Sequence, residues 1–255
     1  MADLATLAIG FGLMPVAALT LFLFRERVLA REDTAWAILA GSVAFLGIAH
    51  ASATALVDVP VVRLQTDIVV AGVILGAGLV LGLAVGRILL VQTGGPSSLV
   101  ATLAWGGLAY LALHSFDDGF VLGTAFAGPL PIGWTLTAAN VSATFLHRFV
   151  EGALVVVPAL GLSWKIPKTL TLLLAGLAGV PGAYVAVNLG SGTGTLSAAV
   201  FGGFDLFVVA LEVGLALQLL LIGYLPKLAA ATDRRWTAWA GIAFLAMFLL
   251  HLLVE

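Results

Sequence analysis

The chain has no cysteine. That excludes disulfides, thiolate metal sites, thiol redox chemistry and cysteine-bound Fe–S clusters. It is also poor in charge. Only 9% of its 255 residues are Asp, Glu, Lys or Arg, where a soluble domain carries about 25%. No Walker-type glycine–lysine loop is present, so nothing points to ATP as an energy source. No nucleic-acid partner is expected either. The first 24 residues lack a basic leading segment, and their apolar stretch is long enough to span a bilayer, so they read as a first helix rather than a cleaved signal.

What is abundant is apolar surface. Hydrophobic residues make up 62% of the chain, and the mean hydropathy is +1.16. A soluble domain runs about 45–50% apolar, so the composition is that of a polytopic membrane protein partnered by the lipid bilayer. About 20 apolar residues cross the hydrocarbon core as a helix. Eight such runs can be marked, at 3–24, 34–57, 68–91, 99–128, 133–162, 169–189, 195–224 and 236–254. The breaks between them are polar or turn-rich: RERVLARED, VDVPVVRLQTD, QTGGPSS, GPLPIG, SWKIPK, GSGTG and PKLAAATDRR. The expected fold is therefore an all-α membrane protein of eight transmembrane helices forming one domain over 1–255.

Lys and Arg orient the spans. With the first loop inside, the inner ends hold nine of them: Arg25, Arg27, Arg31, Arg87, Lys165, Lys168, Lys227, Arg234 and Arg235. The outer ends hold only Arg63, and Arg148 lies inside a span. Both termini are expected outside, in a cell membrane. Small-residue spacings such as Gly72–Gly76 and Gly82–Gly86 suit close helix packing.

Ionisable groups inside a span are costly and mark function by default. Here they are His50 in span 2; His114, Asp117 and Asp118 in span 4; His147, Arg148 and Glu151 in span 5; and Asp205 and Glu212 in span 7. His251 and Glu255 lie near the outer end of span 8, where metal capture at an entrance competes with a merely polar terminus. Spans 4 and 5 carry the densest sets, HSFDDG and HRFVEG. Positions i and i+4 share a helix face, so His114 projects with Asp118, and His147 with Glu151. The turn between these spans centres near position 130.5, and each histidine lies 16.5 residues from it. At a rise of about 1.5 Å per residue, both imidazoles sit roughly 25 Å down an antiparallel hairpin. Two nitrogens and two carboxylates can then enclose one point near mid-membrane. That donor set suits a divalent first-row metal, with zinc, iron, manganese or cobalt all compatible. A structural hydrogen-bond network or a proton relay would use the same residues.

At these residues the sequence resembles the ZIP family of divalent metal-ion transporters. That family has eight spans with both termini outside, and its signatures in spans 4 and 5 run H-N-x-P-[DE]-G and H-[ER]-x-[PV]-[EH]-G. The resemblance covers span count, orientation and both motifs. It implies a 3+2+3 inverted-repeat bundle with spans 4 and 5 central, and a site near the midplane. It further implies a metal site of His114, Asp118, His147 and Glu151, joined by His50 from span 2. Glu212 matches the family's acidic position in span 7, and Asp205 shares its face. Both are expected along the metal pathway.

The chain also departs from that pattern. Family members with a bridged second metal have Asn after the first histidine and an acid after the second, whereas this chain has Ser115 and Arg148. Arginine is effectively always protonated, so Arg148 would supply the second site's positive charge, paired with Glu151, Asp118 or Asp117, leaving a mononuclear centre. The motif prolines are replaced by Asp117 and Val150, which puts helix kinks there in question. The expected function is transport of a divalent metal ion, Zn2+ foremost, toward the cytoplasm, without enzymatic activity. A homodimer is compatible with this reading. An intramembrane zinc-dependent hydrolase built from the same ligands is the enzyme alternative, and a bis-histidine b-type haem protein is a third.

Overall fold

A computed structural model describes residues 12, 14–16, 18–56, 67–91, 96–127, 138–192, 198–231 and 234–254. Among the described residues the chain is helical, with short turns and no strand. After an apolar helix at Met14–Leu23 come α1 (Arg25–Ala30) and α2 (Glu32–Ala44), which continues through a π-helical stretch, Phe45–His50, to Leu56. Then follow α3 (Ile68–Val91), α4 (Pro96–Ala127), α5 (Ala138–Gly161), α6 (Ile166–Leu177) and α7 (Gly179–Gly192). The chain ends with α8 (Ala198–Gln218), prolonged by a second π-helical stretch, Leu219–Tyr224, and by Leu225–Ala229, and with α9 (Trp236–Val254).

Among the described residues, five helices are long and apolar enough to cross a membrane: Glu32–Leu56, Ile68–Ile88, Leu99–Phe120, Ile166–Val187 and Gly202–Ala229. Their outer faces are apolar. Val73 and Val80 of α3 are 64% and 65% exposed, a surface that suits lipid and would be a liability in water. These features are those of an integral membrane protein. The polar breaks at 57–66, 92–95, 128–137 and 193–197 lie outside the described residues, as do Arg63 and Glu255. The expected span 6 is one helical run in which a single-residue turn at Ala178, just before the Gly179–Val180–Pro181 sequence, separates α6 from α7. The first break, RERVLARED, is itself largely helical.

The central helix of the packing is α4, which touches α3, α5, α6, α7 and α8. Its partner α5 also packs on α1, α2, α6 and α9. The most extensive contacts are α3 with α8, α4 with α7 and α2 with α9. Between apolar helices in lipid, close backbone approach is what rewards contact, and glycine permits it. A Cβ on Gly82 would run into the backbone of Leu211 in α8, and one on Gly214 into the backbone of Leu79 in α3. Of the two spacings expected to pack, Gly82–Gly86 meets α8, while Gly72 and Gly76 face open space. Spacing alone sets which residues share a face, and the neighbour is set by the rest of the bundle.

One end of the bundle is tied by polar contacts. Lys227 Nζ lies 2.7 Å from Glu32 Oε1, and the same oxygen accepts from Trp36 Nε1 at 2.8 Å. Arg25 donates to Ser163 Oγ at 3.5 Å. Lys168 Nζ sits 3.8 Å above the Trp164 ring. Three segments expected on the inner side, around residues 25–33, 163–168 and 226–235, thus join through two contacts.

Candidate functional site

The site grows from three helices that are otherwise apolar. On α4, His114 follows Tyr110 by one turn and precedes Asp118 by another. On α5, Arg148 and Glu151 are three residues apart. On α8, Glu212 lies two residues before Gly214, whose lack of a side chain lets α8 come close to α3. His114, Arg148, Glu151 and Glu212 are all buried, Glu151 completely.

These side chains form a chain of contacts. Glu212 Oε1 lies 3.0 Å from His114 Nδ1. On the opposite edge of the same ring, His114 Nε2 lies 3.1 Å from Glu151 Oε1. The other oxygen of Glu151 accepts from Arg148 Nη1 at 2.6 Å. That nitrogen also meets Asp118 Oδ2 at 2.7 Å. The sequence Glu212–His114–Glu151–Arg148–Asp118 therefore crosses from α8 through α4 to α5 and back to α4. A buried charge in an apolar medium persists only when paired; the contact from Arg148 to Glu151 is a hydrogen bond, and a charge-assisted bond of that length is the strong kind.

Two further groups border the chain. Tyr110 stacks on His114, with ring centroids 5.9 Å apart and an interplanar angle of 10°. Its hydroxyl shares the electrostatic neighbourhood of Glu212, Glu151 and Asp118. The charged groups around Asp117 are Asp205, Glu212, His114 and Asp118. Of the acids expected around Arg148, Asp118 and Glu151 touch it.

Both α4 and α5 run unbroken as helices through Asp117 and Val150. His147 belongs to α5, but its side chain lies outside the described residues. His50 ends the first π-helical stretch, and its ring lies 4.3 Å from that of His251 in α9. Among the described residues, no group of three or more His, Asp or Glu side chains is arranged to hold a metal ion. The geometry shows why: Glu212 and Glu151 take opposite nitrogens of one imidazole, so they share no common point, and Arg148 stands between Asp118 and Glu151.

Tyr110 belongs to neither motif, although a tyrosine one turn from a mid-span histidine is a usable signal. Glu212 is expected on a pathway from its sequence position, and its direct contact with His114 depends on how α8 is rotated. Comparison of the chain with protein-family models, with curated proteins and with solved structures finds no match.

Proposed function

We propose that the chain is a transmembrane carrier of a divalent transition-metal ion, zinc foremost, moving it toward the cytoplasm through one site at mid-membrane. The observation that carries this reading is the buried ion network on α4, α5 and α8, in spans otherwise nearly free of charge. Such a group of carboxylates and imidazole is costly in lipid unless it handles an ion or a proton. The proposed ligands are His114, Asp118, His147 and Glu151.

Arg148 and His114 already contact the carboxylates. Each carboxylate has about four lone-pair sites, so an incoming ion competes with these partners for oxygen. Arg148 keeps a permanent positive charge beside the site, which disfavours a second ion and leaves the centre mononuclear.

The proposed architecture has eight spans, both termini outside and an inverted repeat of spans 1–3 and 6–8 about spans 4 and 5. Under that repeat span 2 corresponds to span 7, and span 3 to span 8. Two features support it. The contact of α3 with α8 has its counterpart in the contact of α9 with α2, and glycine permits close approach in both, at Gly82 and at Gly41. The helices of spans 2 and 7 each carry a six-residue π-helical stretch near their C-terminal end, Phe45–His50 and Leu219–Tyr224. Each stretch brings a glycine against neighbouring helices: Gly47 against Ala216 of α8 and Tyr110 of α4, and Gly223 against Leu103 of α4.

Uptake of 65Zn2+ into liposomes holding the purified chain tests the function. Glu151→Gln and His147→Ala are expected to abolish uptake while leaving the chain helical. Uptake equal to wild type in both variants would overturn the site. Absence of uptake by the wild type, with Fe2+, Mn2+ and Co2+ also tried, would overturn transport.

A further inference from the structure

The region where α2 and α9 meet carries a second concentration of imidazole. His50 and His251 lie with ring centroids 4.3 Å apart at an interplanar angle of 51°. They come from helices far apart in sequence, so the fold brings them together. His251 is 8% exposed and His50 is part-buried.

Three details distinguish this pair from ordinary aromatic packing. First, His251 Nδ1 lies 3.1 Å from the Met247 carbonyl oxygen. A carbonyl only accepts, so Nδ1 carries the hydrogen, and in the neutral ring the lone pair is on Nε2. Metal-ligating histidines commonly hold their second nitrogen this way, on a carbonyl or carboxylate that fixes the tautomer. Second, His50 ends a π-helical stretch. Such stretches are rare and concentrate at functional sites. Third, one wall is aromatic. The Phe45 ring lies 4.9 Å from His251 and 6.2 Å from His50, and is itself braced edge-on by Phe244 at 5.4 Å and Phe248 at 6.1 Å. That wall orders both rings and limits their rotation.

We propose that His50 and His251 together bind a divalent transition-metal ion, at a site separate from the ion network on α4, α5 and α8. Imidazole suits Zn2+, Cu2+ and Ni2+, and two nitrogens from rigid helices supply half of a tetrahedral shell, with water completing it. The site borders the central one through packing. Val150 of α5, which sits between Arg148 and Glu151, packs against the cluster of Phe45, Leu46 and Met247. The proposal does not depend on transport, since it concerns binding at a different pair of residues.

Cu2+ binding tests it. The chain has four histidines, so the His114→Gln/His147→Gln variant, prepared without a histidine tag, keeps only the proposed pair. Titrated with Cu2+ alone in detergent, it is expected to bind one ion, with paramagnetic resonance showing two imidazole nitrogens. Adding His251→Phe or His50→Phe keeps an aromatic ring in place and removes the ligand. Each addition is expected to weaken binding by about tenfold or more and to leave a single-nitrogen signal. Failure of the folded background chain to show two-nitrogen copper overturns the site, as does binding unchanged by either phenylalanine. If circular dichroism shows that the background chain does not fold, the copper count on wild type, His50→Phe and His251→Phe decides. Each single variant must then lose one ion, and an unchanged count overturns the proposal.

Discussion

Helix α8 is held on two sides in different ways. Toward α3 it presents Gly214, and the two backbones meet with no charge between them. Toward α4 it presents Glu212, which reaches His114 at 3.0 Å within a network of five ionisable side chains. The first contact needs only an absence of atoms. The second needs every partner in place, because each member holds another's charge. Stability can come from either kind of contact, but only the charged side has anything to exchange with an ion. The apolar seam therefore fixes where α8 sits, and the charged side is where function can be looked for.

The largest expected effect breaks the charged side. Arg148→Ala leaves the buried Glu151 and the partly buried Asp118 without their shared cation. Removing one member of a buried pair costs about 3–5 kcal/mol, to be measured by reversible unfolding in mixed micelles. Adding Asp118→Asn and Glu151→Gln should return most of that stability while uptake stays lost. A triple variant that transported would show the network to be structural only. The mononuclear reading has its own measurement. With His50 and His251 both replaced by phenylalanine, zinc titration should give one tight ion at the centre, and two would break it.

The apolar seam should respond to volume rather than charge. Gly82→Leu forces side-chain atoms into the α8 backbone and is expected to cost about 1–3 kcal/mol. Gly72→Leu, ten residues earlier on the open face of the same helix, should change stability by no more than about 0.5 kcal/mol. Equal losses at both positions would erase the distinction between the seam and the lipid face. The smallest effect is expected at the tied end of the bundle. The Lys227 and Glu32 side chains are 26% and 42% exposed, so Lys227→Ala should cost about 0–1 kcal/mol, and less at high salt.

Much of the site is legible in the sequence because ionisable residues are scarce in this chain. With so few inside the spans, the motifs HSFDDG and HRFVEG stand out, and Asp118, Arg148 and Glu151 of those motifs lie in contact. The all-helical class and the membrane character come from composition. The neighbours of His50, and which side of α3 meets α8, are harder to read. Helical periodicity tells which residues share a face, but not what that face meets. His50 shows a further reason. Its place at the central site is implied by the resemblance alone, and the π-helical turn before it, which holds about one extra residue, turns the residues beyond it by about 100° relative to a regular helix. Nothing in FLGIAH or LLLIGY announces that turn. The turn at Ala178 is similar: Pro181 and its glycines signal interruption, but not its position to the residue.

The paired π-helical stretches have a mechanical consequence. Each is a wide turn holding about one residue more than an α-turn. If the stretch at Phe45–His50 tightened to regular α-helix, the segment beyond it would screw around its axis by about 100°, and His50 would swing away from His251. The stretch at Leu219–Tyr224 would likewise turn Lys227 away from Glu32. The two π-helical stretches thus set where His50 and Lys227 stand, each at a contact between helices far apart in the chain.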